Sequence, residues 1–181
     1  MDDLVEKKRI DEPINIVPYD PTWPKQYEQE VRLLSGVFTS DRLRALEHFG
    51  STSVPGMRAK PVLDILVGLD SCSLTSQEKE ALQRLGYEYI GKVVLKDRIY
   101  LRKRGMRNAN LAIVKHGDQL WSDNLAVRDY LRAHSDIVRA YSSVKQDAME
   151  QGISTLLAYA DFKYDFVSDL LVKARAWKAG Q

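Results

Sequence analysis

The 181-residue sequence predicts an α/β (α+β) fold, a mixed β-sheet with helices packed mainly on one face and a helical C-terminal segment. Three observations lead there. Short apolar or alternating segments of strand length recur up to Val114. A turn-rich stretch, Gly50–Pro61, separates two of them. After Gly117 the strand signal stops and helical patterns follow one another to the end, as expected of a sheet covered by helices.

Taken in order, residues 1–12 are charged and aperiodic and read as a flexible tail, leaving 13–181 as a single domain. Ile14–Val17 reads as a short strand stopped by Pro18. Asp20 or Thr22 then caps a helix running from Lys25 to about Phe38, where Tyr27, Val31, Leu34 and Phe38 keep helical spacing. Arg44–Phe49 and Val62–Val67 read as strands on either side of the Gly50–Pro61 loop. Leu74–Leu85 resembles a helix closed by Gly86. Three more strands are expected at Tyr87–Ile90, Arg98–Arg102 and Asn110–Val114, with a turn at Met106–Asn108. Helices are expected at Leu120–Ala133, Asp136–Glu150 and Ser154–Trp177.

Composition narrows the function classes. Hydrophobic residues make up 44% and charged residues 29%, enough apolar material for a real core. A net charge of +2 gives no general electrostatic reason to expect nucleic acid or a membrane surface as partner. The single cysteine, Cys72, excludes an internal disulfide framework. No apolar run approaches the ~20 residues of a membrane span, and Met1–Lys8 lacks the apolar core of a signal peptide, so a cytoplasmic location is expected. Oligomeric state is left open.

The chemistry concentrates in His48-x-Gly50–Ser51–Thr52–Ser53–Val54–Pro55–Gly56 and the following Lys60–Pro61–Val62–Leu63–Asp64. Gly50 permits close backbone approach to a phosphate, and Ser51, Thr52 and Ser53 add donors to a concave loop. Asp64 interrupts an apolar strand, where an ionised carboxylate is costly without a partner, and Mg²⁺ is one such partner. The plainer readings are a simple turn for the loop and a Lys or Arg partner for Asp64. Loop and carboxylate together, at this separation, are more specific than either alone.

This stretch resembles the GrpB (UPF0157) family, whose hallmark is similar to His-x-Gly-Ser-Thr-Ser/Ala-Val-Pro-Gly followed by Lys-Pro-x-x-Asp. The resemblance extends to Val17–Pro24, Arg128–His134 and Tyr159…Lys163…Phe166. It implies a nucleotidyltransferase-like mixed sheet, a pocket for a nucleotide or another phosphate-bearing small molecule, and nucleotidyl transfer with Mg²⁺ as cofactor, in which Asp64 would be the catalytic and metal-binding carboxylate. Two departures stand against full activity. Leu66 occupies the position two after Asp64 where such enzymes carry a second carboxylate, and Asn110–Leu111–Ala112 offers no third one. The alternative is therefore a binding module without transfer chemistry. Some GrpB-like domains are fused to dephospho-CoA kinase, but this chain has no Gly-x-x-x-x-Gly-Lys-Ser/Thr loop and is not itself that kinase.

Further residues join the candidate ligand site. His48 either reaches a ligand or fixes the loop, and Lys60 either neutralises phosphate or pairs with Asp64. Glu47 is expected to be a surface or salt-bridged carboxylate rather than a metal ligand. Arg98, Arg102 and Arg107, clustered with Lys96, Lys103 and Arg104, form either an electropositive wall or a charged sheet edge; alternation puts Arg98, Tyr100 and Arg102 on one face. Lys163 shares a helical stripe with Tyr159 and Phe166, an unusual place for a lysine without an anionic partner. Arg128 is expected to face the pocket, diverging from Asp129, and Asn110 to line it. His116 and His134 read as surface or capping residues.

Overall fold

A computed structural model describes residues 10–92 and 97–181. Helix α1 (Trp23–Leu34) precedes strand β1 (Leu43–Phe49), a single 3₁₀ turn at Ser51–Ser53, strand β2 (Leu63–Leu69), helix α2 (Ser76–Arg84) and strands β3 (Glu88–Gly91), β4 (Ile99–Lys103) and β5 (Ala109–Lys115). Helices α3 (Gln119–Ala133), α4 (Ser135–Glu150), α5 (Leu156–Phe162) and α6 (Tyr164–Ala179) follow. The five strands form one sheet in the order β1-β2-β5-β4-β3. Only β2 and β5 run parallel; the other neighbours are antiparallel, so the sheet is mixed as expected.

Strand alternation divides the core. Leu63, Ile65, Val67 and Leu69 of β2 pack with Leu111, Ile113 and Leu101 beneath Trp23 and Leu34 of α1 and Leu82 of α2. Leu66, Ala112 and Val114 point the other way, against Trp121 of α3. A second core joins Val54 and Met57 of the long loop to Leu131, Val138, Tyr141 and Leu170 of the late helices. Most of the helical mass thus lies on the face carrying Leu66. Local chemistry starts these helices where it should. Thr75 and Glu78 form a reciprocal capping box on α2, and the Asp118 side chain accepts from Trp121 N at 2.8 Å to open α3. Gly68 lets Trp121 lie on the sheet, since a Cβ there would stand 2.7 Å from the indole.

Several expectations are corrected. Ile14–Val17 forms no strand, only isolated bridges of Pro13 with Thr155 and of Val17 with Ala59, because Pro13 and Pro18 lack the N–H a ladder needs. Helix α1 ends at Leu34 instead of Phe38; Phe38 still reaches the core, carried there by the turn that follows the helix. The expected helix 154–177 breaks at Lys163, which ends α5 and starts α6. Of the expected tail, residues 1–9 lie outside the described residues, but Ile10 packs on Ile90 and Glu12 binds Arg104, so Ile10–Glu12 belong to the fold. Among the described residues no helix is long and apolar enough to cross a membrane.

Candidate functional site

The register of three strands builds the floor of the site. Phe49 pairs with Asp64 across β1 and β2, and Asp64 pairs with Asn110 across β2 and β5. Paired residues share a face, so Phe49, Asp64 and Asn110 point together toward α3. Above them the chain turns sharply at Gly50, whose φ of 67° lies in the region glycine favours. A Cβ at Gly50 would collide with the Asp64 carboxylate and stand 2.9 Å from Asp64 Cβ, so the turn lies directly on the aspartate. The turn is closed by Ser53, whose hydroxyl donates to Gly50 O at 2.7 Å.

Asp64 is held by a relay of side chains. Its Oδ1 accepts from Asn110 Nδ2 at 2.9 Å. The Asn110 carbonyl oxygen accepts from Tyr100 OH at 2.8 Å and from Arg104 at 3.1 Å, which fixes the amide with its NH₂ toward Asp64. Arg104 is in turn clamped by both oxygens of Glu12, at 2.9 and 2.6 Å.

The loop is anchored from behind by a residue that the sequence reading passed over. Lys145 of α4 is only 1% exposed; its Nζ donates to Ser51 Oγ at 2.6 Å and to Arg58 O at 2.7 Å, over the Tyr141 ring. Burial, reinforced by the charge of Lys163, holds its pKa well below the usual lysine value, with Asp64 opposing. Burial lowers Lys60 as well. The signal for Lys145 was present: Val138, Tyr141, Lys145 and Ala148 form a buried stripe on α4, the same pattern that pointed to Lys163.

Two adjoining chambers occupy the site. An outer one of about 370 Å³ is lined by Gly50, Ser51, Asp64, Arg98, Asn110, Arg128 and Lys163, with an apolar wall that includes Leu131, Val167 and Leu170. An inner one of about 70 Å³ is lined by Ser51, Thr52, Lys60, Asp64, Lys145 and Lys163. Lys60, Arg98, Lys145 and Lys163 therefore face one carboxylate. The buried Arg98 Nε has no hydrogen-bond partner among the described residues.

His48 and Ser53 do not join this group. They line a separate cavity of about 600 Å³ with Tyr27, Glu28, Glu47 and Arg132, beside the edge strand β1. The His48 ring stacks on Tyr27 at 4.7 Å, and its Nε2 lies 3.0 Å from Thr52 Oγ1. Burial, then the charges of Arg132 and Arg128, push its pKa down to about 4, so it is a neutral ring that fixes the loop. The cause is strand alternation: His48 pairs with Ile65, on the face opposite Asp64. Glu47 is salt-bridged to Arg128 at 2.6 Å, as expected of a non-ligand. Arg128 Nε also donates to its neighbour Asp129 at 2.8 Å, against the expected divergence. The arginine wall mostly dissolves into ion pairs. Arg102 binds Glu88 and Glu12, and Arg107 binds the buried Glu30 on the opposite face, leaving Arg98 facing the cavity; Lys96 lies outside the described residues. His134 sits between α3 and α4 and shares Nδ1 with Tyr130 O, while His116 packs on Trp121.

The donor set does not fit a magnesium ion held by protein alone. Among the described residues no three His, Cys, Asp or Glu side chains gather to hold a metal. Asp64 is a lone carboxylate already bonded to Asn110, surrounded by cations, and its same-face neighbours Leu66 and Ala112 are buried hydrocarbon.

Fold and site define the class: an α+β mixed-sheet protein with a cationic cavity at the turn between β1 and β2. The family described as GrpB protein matches residues 13–173, and the chain belongs to it. The chain is 33% identical to the UPF0157 protein SCO7215 of Streptomyces coelicolor, over 92% of its own length and 86% of the relative's. It is 30% identical to the UPF0157 protein YqkA of Bacillus subtilis over 93% of its length, spanning only 49% of that relative. The crystal structure of conserved protein GrpB from Enterococcus faecalis, 31% identical, superposes with a TM-score of 0.81 over 90% of this chain and 99% of that one.

Proposed function

We propose that the chain is an anion-binding module whose cavity takes a nucleotide or another phosphate-bearing small molecule. The observation that carries this reading is the charge imbalance: Lys60, Arg98 and Lys163 face a single carboxylate inside a partly closed cavity, with the buried amine of Lys145 beside them as a further donor. Such an arrangement is electrostatically incomplete until an anion enters it. Gly50 and Ser51 bring the backbone within reach of that anion, and Arg98 supplies a buried donor in want of an acceptor. Mg²⁺ would enter only together with nucleotide phosphates, which would provide the ligands that Leu66 and Ala112 do not.

The test is thermal unfolding with inorganic phosphate and with ATP, each with and without Mg²⁺. A ligand at 100 times its Kd adds about 2.7 kcal/mol of stability. Gly50→Val should abolish that gain and also lower the unliganded stability by about 1–3 kcal/mol, because its side chain meets Asp64 in a backbone conformation that valine avoids. No stabilisation by either anion would defeat the reading. Pyrophosphate release from ATP by the wild type, lost in Asp64→Asn, would replace it with nucleotidyl transfer.

A further inference from the structure

The division of the cavity constrains what fits it. At about 70 Å³ the inner chamber is much smaller than the outer one, at about 370 Å³. A compact anion such as one phosphoryl group suits it better than a polyphosphate chain. Its lining supplies three lysines, Lys60, Lys145 and Lys163, and the Ser51 hydroxyl, against the one carboxylate of Asp64. The outer chamber shares Ser51, Asp64 and Lys163 with it, but is apolar along Leu131, Val167 and Leu170 and carries Arg98 Nε, unpartnered among the described residues.

We propose that the inner chamber is a phosphoryl subsite and that the ligand is a phosphomonoester, its terminal phosphate among the three lysines and its organic body in the outer chamber. The assignment rests on the anion-binding reading and names the ligand class. A phosphomonoester is a dianion above its second pKa of about 6, and two negative charges answer the lysine excess better than one. A phosphodiester would have to pass substituents through both chambers. The body should offer an apolar face to the wall from α3 and α6 and an acceptor atom to Arg98.

Lys145 gives the subsite a signature. It is almost wholly enclosed, and among the described residues no carboxylate bonds it; its partners are a hydroxyl and a carbonyl. Burial disfavours its charged form, so an arriving dianion should draw a proton onto it.

The experiment is titration calorimetry at pH 8, where the phosphate is already a dianion. Inorganic phosphate, phenyl phosphate and ATP are the probes, in two buffers of different ionisation enthalpy, on wild type, Lys145→Met and Lys163→Gln. Phenyl phosphate should bind at least tenfold more tightly than inorganic phosphate, with net proton uptake. Lys145→Met should remove the uptake and weaken phenyl phosphate at least tenfold. Lys163→Gln, at a half-buried helix junction, should weaken it while keeping the uptake. If Lys145→Met does not fold, the wild-type buffer comparison and Lys163→Gln decide the matter. ATP binding without phenyl phosphate binding, phenyl phosphate binding without proton uptake, or undiminished affinity in the variants would each overturn the subsite and leave the anion cavity standing. Absence of binding by all three probes would remove both.

Discussion

Two cavities flank the Gly50–Gly56 loop, and they differ in a way that size does not reveal. The one containing His48 is the larger, at about 600 Å³. Its charges are largely answered: Glu47 binds Arg128, Arg132 donates twice to Ser53 O, and His48 is neutral between Tyr27 and Thr52. The one containing Asp64 is smaller, and its cations outnumber its carboxylates. The first is a finished structural environment; the second lacks a counter-charge. Residual charge and unpartnered donors, more than volume, mark where a ligand belongs.

Leu66 is where the difference between the two cavities is most exposed to a single substitution. It lies on the Asp64 face but is fully buried against Ala112 and Trp121. Leu66→Asp would bury an unpaired carboxylate and should destabilise by about 4 kcal/mol or more, against typical net stabilities of 5–15 kcal/mol. In a chain of this length that lowers Tm by about 10 °C. A well-folded Leu66→Asp that binds Mg²⁺ would show that this face is built for metal after all.

The next effect belongs to the His48 side. In the folded protein the His48 pKa sits near 4, against 6.5 when unfolded. Between those values the unfolded chain binds more protons, so stability present above pH 6.5 is lost as pH falls toward 4. The loss from this group reaches up to about 3 kcal/mol. Denaturant unfolding from pH 7 to 4.5 should show that slope, and His48→Gln should flatten it. A His48→Gln variant with an unchanged slope would mean that the ring is not buried neutral.

The smallest effect sharpens the Asp64 side. Removing its charge should leave the cations less opposed, so Asp64→Asn should bind inorganic phosphate about tenfold more tightly, worth about 1.4 kcal/mol. A metal-centred site predicts the opposite sign. Calorimetry with phosphate alone, without Mg²⁺, separates the two.

The sequence by itself established the order of the five strands and the pairing of a glycine turn with a strand aspartate, and it carries the helix starts at Thr75–Glu78 and Asp118; the Ile14–Val17 strand and the unbroken last helix it suggested did not form. The features it established are local: they depend on propensity, capping and the period of two along a strand, all of which are properties of neighbouring residues. Leu66 and Ala112 were likewise legible as departures from the carboxylate set that the family resemblance implies; alternation puts Leu66 on the face of Asp64, and the register of β2 with β5 sets Ala112 beside it. Only the tertiary structure decided which side of the sheet each motif residue serves. His48 and Asp64 belong to one sequence motif yet face apart, because antiparallel pairing sets Phe49, not His48, opposite Asp64. It also decided which charges remain free. Arg102, Arg104 and Arg107 look alike in sequence, but Glu12 and Glu30, distant in the chain, consume them. Lys145 stands more than ninety positions from the Ser51 it holds, and only helix packing across the second core brings them to 2.6 Å. Long-range contacts of this kind follow from how apolar surfaces are buried together, which no local pattern records.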